Sequence, residues 1–384
     1  MNVLAIDKTS VLSAYQRKWE LLAGYKDVEI TLLTPNCWKE NFDKIYLEKN
    51  SRLKIIAGKV IFPGYGNRGF YYTSLIKAVM KCKPDIIHMM EEPYSLFSLE
   101  IIAVKKLFAP KAKIIFYTYD NVSYNYKFHY KFSQIYKLIE LFTLKNSDYG
   151  LCANQEAKRI TLSKGFDKPL KVIYPCFDFT FLKRTETGKL KEELGLKGSV
   201  IGFAGRIVKE KGLDTLIKAC SEIKEDVSLL IIGRGEYKRE LIGLAEELGI
   251  DEKIRFVDVV KYSEIPKFLS LLDIFVLPSI TTDGWKEQFG RVIIEAMACE
   301  VPVIGSSSGA IPEVIGDNGL IFRENDYIDL KDKILILMKN HEYRNRLIVL
   351  GKSYAKNFSV ENFVKKVYKI YRELLNLIPP KNLV

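Results

Sequence analysis

The sequence predicts an α/β protein made of two Rossmann-like units in series, and three observations predict it. Short apolar runs alternate with longer amphipathic segments along the whole chain, the pattern of parallel sheets covered by crossover helices. The rhythm stops over residues 175–197, where a charged stretch from Lys183-Arg184 to Glu192-Glu193 intervenes, and then restarts. The length, 384 residues, suits two domains of similar size, each burying its own core.

In chain order, the apolar runs predict strands at residues 3–6, 29–33, 86–89, 114–117, 149–153 and 171–174. The second half predicts strands at 200–204, 229–232, 255–257, 274–277 and 303–305. A further strand over 59–62 and a helix over 70–80 would flank Gly64-Tyr65-Gly66-Asn67-Arg68-Gly69. The tail, 360–375, places Phe363, Val367, Tyr371 and Leu374 on one helical stripe, so its apolar face must pack against something. The resulting domains are 1–178, 179–358 and a terminal helix in 359–384.

Composition narrows the class. With 48% hydrophobic and 28% charged residues the chain is neither disordered nor collagenous. No run approaches 18 apolar residues, the start lacks a signal-peptide pattern, and six scattered cysteines form no CxxC pair, so a cytoplasmic location is expected. The net charge of +12 is uneven: +10 over residues 1–180, −3 over 181–350 and +5 over 351–384. Such asymmetry argues for an anionic partner on one side only.

The densest chemistry lies in residues 283–298. Glu287 and Glu295 stand eight positions apart around Phe289-Gly290, with a helix expected from about Gly290. Backbone N–H groups at that helix start can meet an anion, while the two carboxylates accept hydrogen bonds from hydroxyls on either side of it. The bland alternative is that Glu287 caps the helix and Glu295 sits on a solvated face. Gly205-Arg206 follows a strand, and Lys211 precedes a helix. A forked donor and a point charge can together neutralise a diphosphate. Gly233 and Gly235 end another strand, either admitting a ligand to the backbone or only shaping the turn.

These residues resemble the retaining glycosyltransferases of family 4, the glycosyl transferases group 1. The resemblance implies the GT-B fold: two Rossmann-like domains facing across a cleft, with a C-terminal helix crossing back to the N-terminal domain. By that resemblance Arg206 and Lys211 grip a nucleotide diphosphate, and Glu287 faces the donor sugar. Glu295 holds the ribose, and Gln288, Phe289, Gly290 and Arg291 line the donor beside Gly205, Gly233 and Gly235. Val260 lies near the base. The block from Pro302 to Val314 also follows the family pattern. The implied reaction is metal-independent, retaining transfer of a hexosyl unit from a UDP- or GDP-sugar, with no cofactor. The leaving phosphate oxygen takes the acceptor's proton.

The N-terminal half departs from the family. Asp7-Lys8-Thr9-Ser10 stands where many members have a glycine-rich loop, and none of His88, His129 and His341 occupies the acceptor-side slot held here by Thr118-Tyr119-Asp120-Asn121. Ser10, Arg68, Glu92, Asp120 and Asn121 are the acceptor-side candidates. A G-x-G-x-x-G spelling at Gly64–Gly69 keeps a dinucleotide-dependent oxidoreductase as an alternative. Tyrosines interleaved with lysines over 124–137 raise nucleic-acid binding, which no recognisable module supports. The stretch 124–145 also mixes Lys with Tyr, Phe and Leu as interfacial helices do, unless it is an ordinary solvated face. With the tail folded back, about +15 would gather on the acceptor side. The expected partners are therefore a nucleotide-sugar donor, a glycan or lipid-linked acceptor, and an anionic membrane surface that the protein would meet peripherally.

Overall fold

The computed structural model describes residues 1–40, 43–48, 52–64, 67–122 and 133–377. It divides into two compact units, one of Met1–Cys176 with Val360–Val384 and one of Phe177–Ser359.

The first unit contains β1 (Asn2–Ile6), β2 (Glu29–Pro35), β3 (Cys37–Glu40), β4 (Asp43–Tyr46), β5 (Lys54–Gly58), β6 (Ile86–Met89), β7 (Lys113–Thr118), β8 (Tyr149–Cys152) and β9 (Leu170–Val172). Seven of these form one parallel sheet in the order β5-β2-β1-β6-β7-β8-β9, and β3 with β4 forms a separate antiparallel hairpin. Strands β1 and β6 are almost wholly buried, as expected when helices cover both faces of a parallel sheet. The sheet order reverses between β1 and β6. A crevice at the carboxyl ends of the strands opens at such a switch point.

The tail forms a helix, Val360–Leu374, whose Phe363, Val364, Val367, Ile370 and Tyr371 are buried in one cluster with Trp19, Leu22, Ile30 and Ile115. That cluster belongs to the first unit. The helix is locked in register by polar contacts too: Tyr368 donates to Asp27 at 2.9 Å, and its ring stacks on Tyr25.

His88, on β6, is fully buried with Nδ1 2.7 Å from the Tyr371 hydroxyl and its ring edge-on to Trp19. Burial, then the charge of Lys18, pushes its pKa down to about 3. The folded protein therefore keeps this histidine neutral, while the unfolded chain protonates it below about pH 6.5. Stability from this group is present above that pH and is lost as pH falls toward 3. Between pH 7.5 and 5 the wild type should lose about 2 kcal/mol more than a His88→Gln variant. Urea unfolding at both pH values measures this, and parallel pH profiles would refute a neutral buried histidine.

The second unit contains β10 (Ser199–Ala204), β11 (Val227–Ile232), β12 (Ile254–Val257), β13 (Ile274–Leu277), β14 (Val303–Ser306) and β15 (Leu320–Phe322). All pair in parallel, in the order β12-β11-β10-β13-β14-β15. This is the doubly wound order 3-2-1-4-5-6, with its switch point between β10 and β13.

Some expectations need correction. The strand over 59–62 does not form: the chain is extended earlier, in β5, and Ile61 makes only an isolated bridge to Phe70. The following helix is Thr73–Cys82. Gly64 and Gly69 are there for packing. A Cβ on Gly64 would lie 2.5 Å from the Lys39 carbonyl oxygen, and one on Gly69 would lie 2.5 Å from the Phe97 ring. Tyr65 and Gly66 lie outside the described residues, as does 123–132 of the tyrosine-lysine stretch.

Candidate functional site

In the second unit the loops leaving β10 and β13 are tied together at the switch point. The Ile280 amide donates to the Glu210 carbonyl at 2.9 Å, joining the segment after β13 to the short 3-10 turn Lys209–Lys211. Lys211 then donates to Glu287 Oε2 at 2.5 Å, and the Ser279 hydroxyl donates to the same oxygen at 2.9 Å. The Lys211 ammonium also lies 5.0 Å above the Trp285 ring. Glu287 is buried, while Arg206 is exposed on the turn that follows β10.

Glu287 is not the helix cap. The helix is Arg291–Ala298, and its N-cap is Gly290, which has φ +73° and supplies no side chain. The start of the helix therefore offers backbone N–H groups without a competing carboxylate. Glu295, one turn in, is buried rather than solvated. It accepts from the Tyr262 hydroxyl at 3.0 Å and has Arg291 4.0 Å away. Burial pushes its pKa up, against the pull of Arg291 and Tyr262. The Arg291 guanidinium lies 4.3 Å over the Phe177 ring and donates weakly to Tyr262 at 3.5 Å.

Phe289 turns its side chain into an aromatic cluster with Phe177 and Phe358, so only its backbone remains available to a ligand. Gln288 and Val260 are half-buried in the loops before the helix and after β12. Gly233 and Gly235 have a structural reason to lack a Cβ. It would lie 1.9 Å from the Gly205 carbonyl oxygen in the first case and 2.0 Å from that of Ile207 in the second. Ladder-like bonds continue past the strand ends there, from the Gly205 amide to Ile232 and from the Ile207 amide to Arg234. Sequence reasoning missed Ser279 and Tyr262 as partners of the two glutamates, since a lone Ser and Tyr carry no spacing signal.

The acceptor-side candidates of the first unit separate into two kinds. Ser10 is fully engaged inside the fold: its hydroxyl donates to Asp7 at 2.7 Å and receives the Trp19 indole at 3.2 Å. Asp7 itself pairs with Lys18 at 2.8 Å. Burial opposes its ionisation, but Lys18, Thr9 and Ser10 outweigh that and hold the carboxyl at about 2. Glu92 braces the end of β7, accepting from the Thr118 hydroxyl and the Tyr119 amide. Asp120 pairs with Lys164, which also bonds Glu140, each at 2.9 Å. Asn121 is buried beside Asp120, and exposed Arg68 donates to the Tyr136 hydroxyl at 3.2 Å. Sequence reasoning missed Lys8 with Glu91, paired at 2.6 Å across the β1–β6 switch point.

A family model described as glycosyl transferases group 1 matches residues 186–354, the span that carries the Lys211–Glu287–Glu295 arrangement. The matched span is somewhat under half of the chain. Among its relatives is an uncharacterized glycosyltransferase of Methanocaldococcus jannaschii, 34% identical over 177 residues. The match covers 45% of this chain and 47% of the relative. A D-inositol 3-phosphate glycosyltransferase of Corynebacterium jeikeium is 29% identical over 258 residues, covering 62% and 60%. The chain thus spans about half to three fifths of the curated relatives it matches. The solved structure of HepE from Anabaena in complex with UDP superposes with TM-score 0.74 at 17% identity, over 97% of this chain and all of that one. At that identity the likeness shows the fold, which is GT-B. The oxidoreductase alternative loses its support here: Gly64 and Gly69 of its motif serve packing, and the family model that matches is of glycosyl transferases.

Proposed function

We propose that the chain is a retaining glycosyltransferase that moves a hexosyl unit from a UDP- or GDP-linked sugar to a hydroxyl acceptor. The observation that carries this reading is the Lys211–Glu287 pair, braced by Ser279 at the β10–β13 switch point, with Glu295 held by Tyr262 one turn into the adjoining helix. A cation, an open helix start and two separately anchored carboxylates suit a diphosphate flanked by a hexose and a ribose.

In this reading Arg206 and Lys211 neutralise the diphosphate in place of a metal, and no cofactor is needed. Glu287 meets the sugar hydroxyls, and Glu295 meets the ribose. As the sugar–phosphate bond breaks toward an oxocarbenium-like state, the leaving phosphate oxygen takes the acceptor's proton. The new bond forms on the same face. The protein's contribution is orientation and stabilisation of charge on the departing diphosphate. A screen of UDP- and GDP-sugars for slow hydrolysis tests the reading: release of the nucleotide from one donor class is expected, and no turnover or binding of either would sink it.

The acceptor in this proposal is a glycan or lipid-linked precursor at the cytoplasmic face of a membrane. The helix Ser133–Asn146 exposes Ile135, Leu138 and Leu141 at three-residue spacing, and the sequence sets Lys137 and Lys145 among them. An apolar stripe with one lysine, Lys137, inside it and another, Lys145, one turn beyond it suits an anionic bilayer surface. No described helix is long and apolar enough to cross a membrane. Co-sedimentation with phosphatidylglycerol vesicles should exceed that with phosphatidylcholine vesicles, and Leu138→Glu should abolish the difference. Equal sedimentation with both would remove the membrane from the proposal.

A further inference from the structure

We propose that the carboxyl edge of the first unit's sheet takes a neutral, hydroxyl-rich group, such as an unphosphorylated sugar ring, and rejects a phosphate; this rests on the glycosyltransferase reading above. The motive is a contrast in charge. The first unit as a whole carries 32 Lys+Arg against 18 Asp+Glu, a net +14. Its strand ends carry the opposite sign. Asp7 follows β1, Glu91 and Glu92 follow β6, Asp120 follows β7, and Glu140 joins them through Lys164. These five carboxylates face three ammonium groups, Lys8, Lys18 and Lys164, and each ammonium is already bonded to a carboxylate within 3 Å. At this edge the carboxyl groups outnumber the ammonium groups by five to three. Arg68 is exposed and bonded to Tyr136, one turn before Glu140 on the helix Ser133–Asn146.

A second observation points to a ligand rather than to a self-sufficient ion network. Glu91, 1% exposed, bonds Lys8 through Oε2 and leaves Oε1 without a partner; Glu140, 2% exposed, bonds Lys164 through Oε1 and leaves Oε2 without one. The Tyr71 hydroxyl, fully buried against Phe97, also has no partner, and the Glu91 and Asp7 charges reach it. Buried polar atoms are seldom left so, because each unmet bond costs about 1–3 kcal/mol. A sugar hydroxyl, directly or through an ordered water, donates to a carboxylate oxygen and accepts from a phenol. Burial, partly offset by Lys8 and Lys164, raises the Glu91 and Glu140 carboxyls to about 7, so above that pH both are ionised. A phosphate dianion then donates nothing to them and is repelled. The unit's positive surplus consequently serves the outer surface and not this edge.

The test uses the whole protein at about pH 8, where Glu91 and Glu140 are both ionised, and saturation-transfer NMR with matched probes. These are methyl α-glucoside, α-mannoside and α-galactoside against their 6-phosphates, and myo-inositol against D-inositol 3-phosphate. Neutral members should show transfer signals at least 5-fold stronger than their phosphorylated partners, and Tyr71→Phe and Glu91→Gln should remove them. Thermal unfolding establishes that both variants are folded. Stronger signals from the phosphorylated members would overturn the proposal, and so would the lack of any neutral probe whose signal the variants remove. Nucleotide-sugar hydrolysis, measured in parallel, should be unchanged in both variants. Its absence in the wild type would count against the glycosyltransferase reading instead, so the two failures are distinct.

Discussion

Lys211→Ala and Glu287→Ala each lower turnover of the nucleotide sugar by about 10²–10³-fold, the usual cost of removing one preorganised group that stabilises transition-state charge. Neither should unfold the protein. The two side chains are 13% and 10% exposed, so an unpaired survivor still reaches solvent, and Glu287 retains its bond from Ser279. The two losses should also fail to add, because each variant dismantles the same pair. A Lys211→Ala/Glu287→Ala double variant should be no more than a few-fold worse than the poorer single variant. Single-turnover kinetics with circular dichroism as the fold control measures all three. Retained turnover in both single variants would show that the donor's chemistry is done elsewhere.

How far the sequence foretells this arrangement depends on how local each signal is. Strands β6 and β13 are buried on both faces, so β13 is a continuous apolar run and β6 is one broken only by His88, and both are legible at their observed ends. Strands β5 and β15 lie at sheet edges and are half-exposed, so their short apolar stretches do not stand out in the sequence. The same distinction governs the site. Arg206, Lys211, Glu287 and Glu295 stand out because glycines and a helix start sit beside them in sequence. Ser279 is recognisable only once β13 and the helix after Gly290 are folded. In the first unit the Lys8–Glu91 pair joins residues 83 positions apart and Lys164–Asp120 joins residues 44 apart. No spacing encodes such contacts. Ser10 shows the converse: a polar residue after β1 looked available and is instead consumed by Asp7 and Trp19.

The second large effect comes from a residue with no side chain. Gly309→Ala should lower kcat by about 10²-fold while leaving donor affinity nearly intact, because the ribose end of the donor would rest on Glu295, on a different element. Gly309 has φ +53°, a conformation that alone costs alanine about 1–2 kcal/mol. The larger consequence is steric. The new Cβ would sit 2.2 Å from the Glu287 carbonyl oxygen, about 1 Å inside normal contact, and that same oxygen accepts from the Ala310 amide at 2.9 Å. The turn carrying Gly309 cannot easily retreat. Ser306 donates to the Ser279 carbonyl, and Ser308 meets Thr281 at 3.0 Å, so the turn is bound to the very segment that presents Ser279 to Glu287. The displacement must therefore fall on the Glu287 peptide, moving its carboxylate relative to Lys211 by a distance that matters for positioning. A kcat within 2-fold of wild type would mean that Glu287 tolerates this shift and does not act through a fixed position, and donor KM measured alongside separates lost positioning from lost binding.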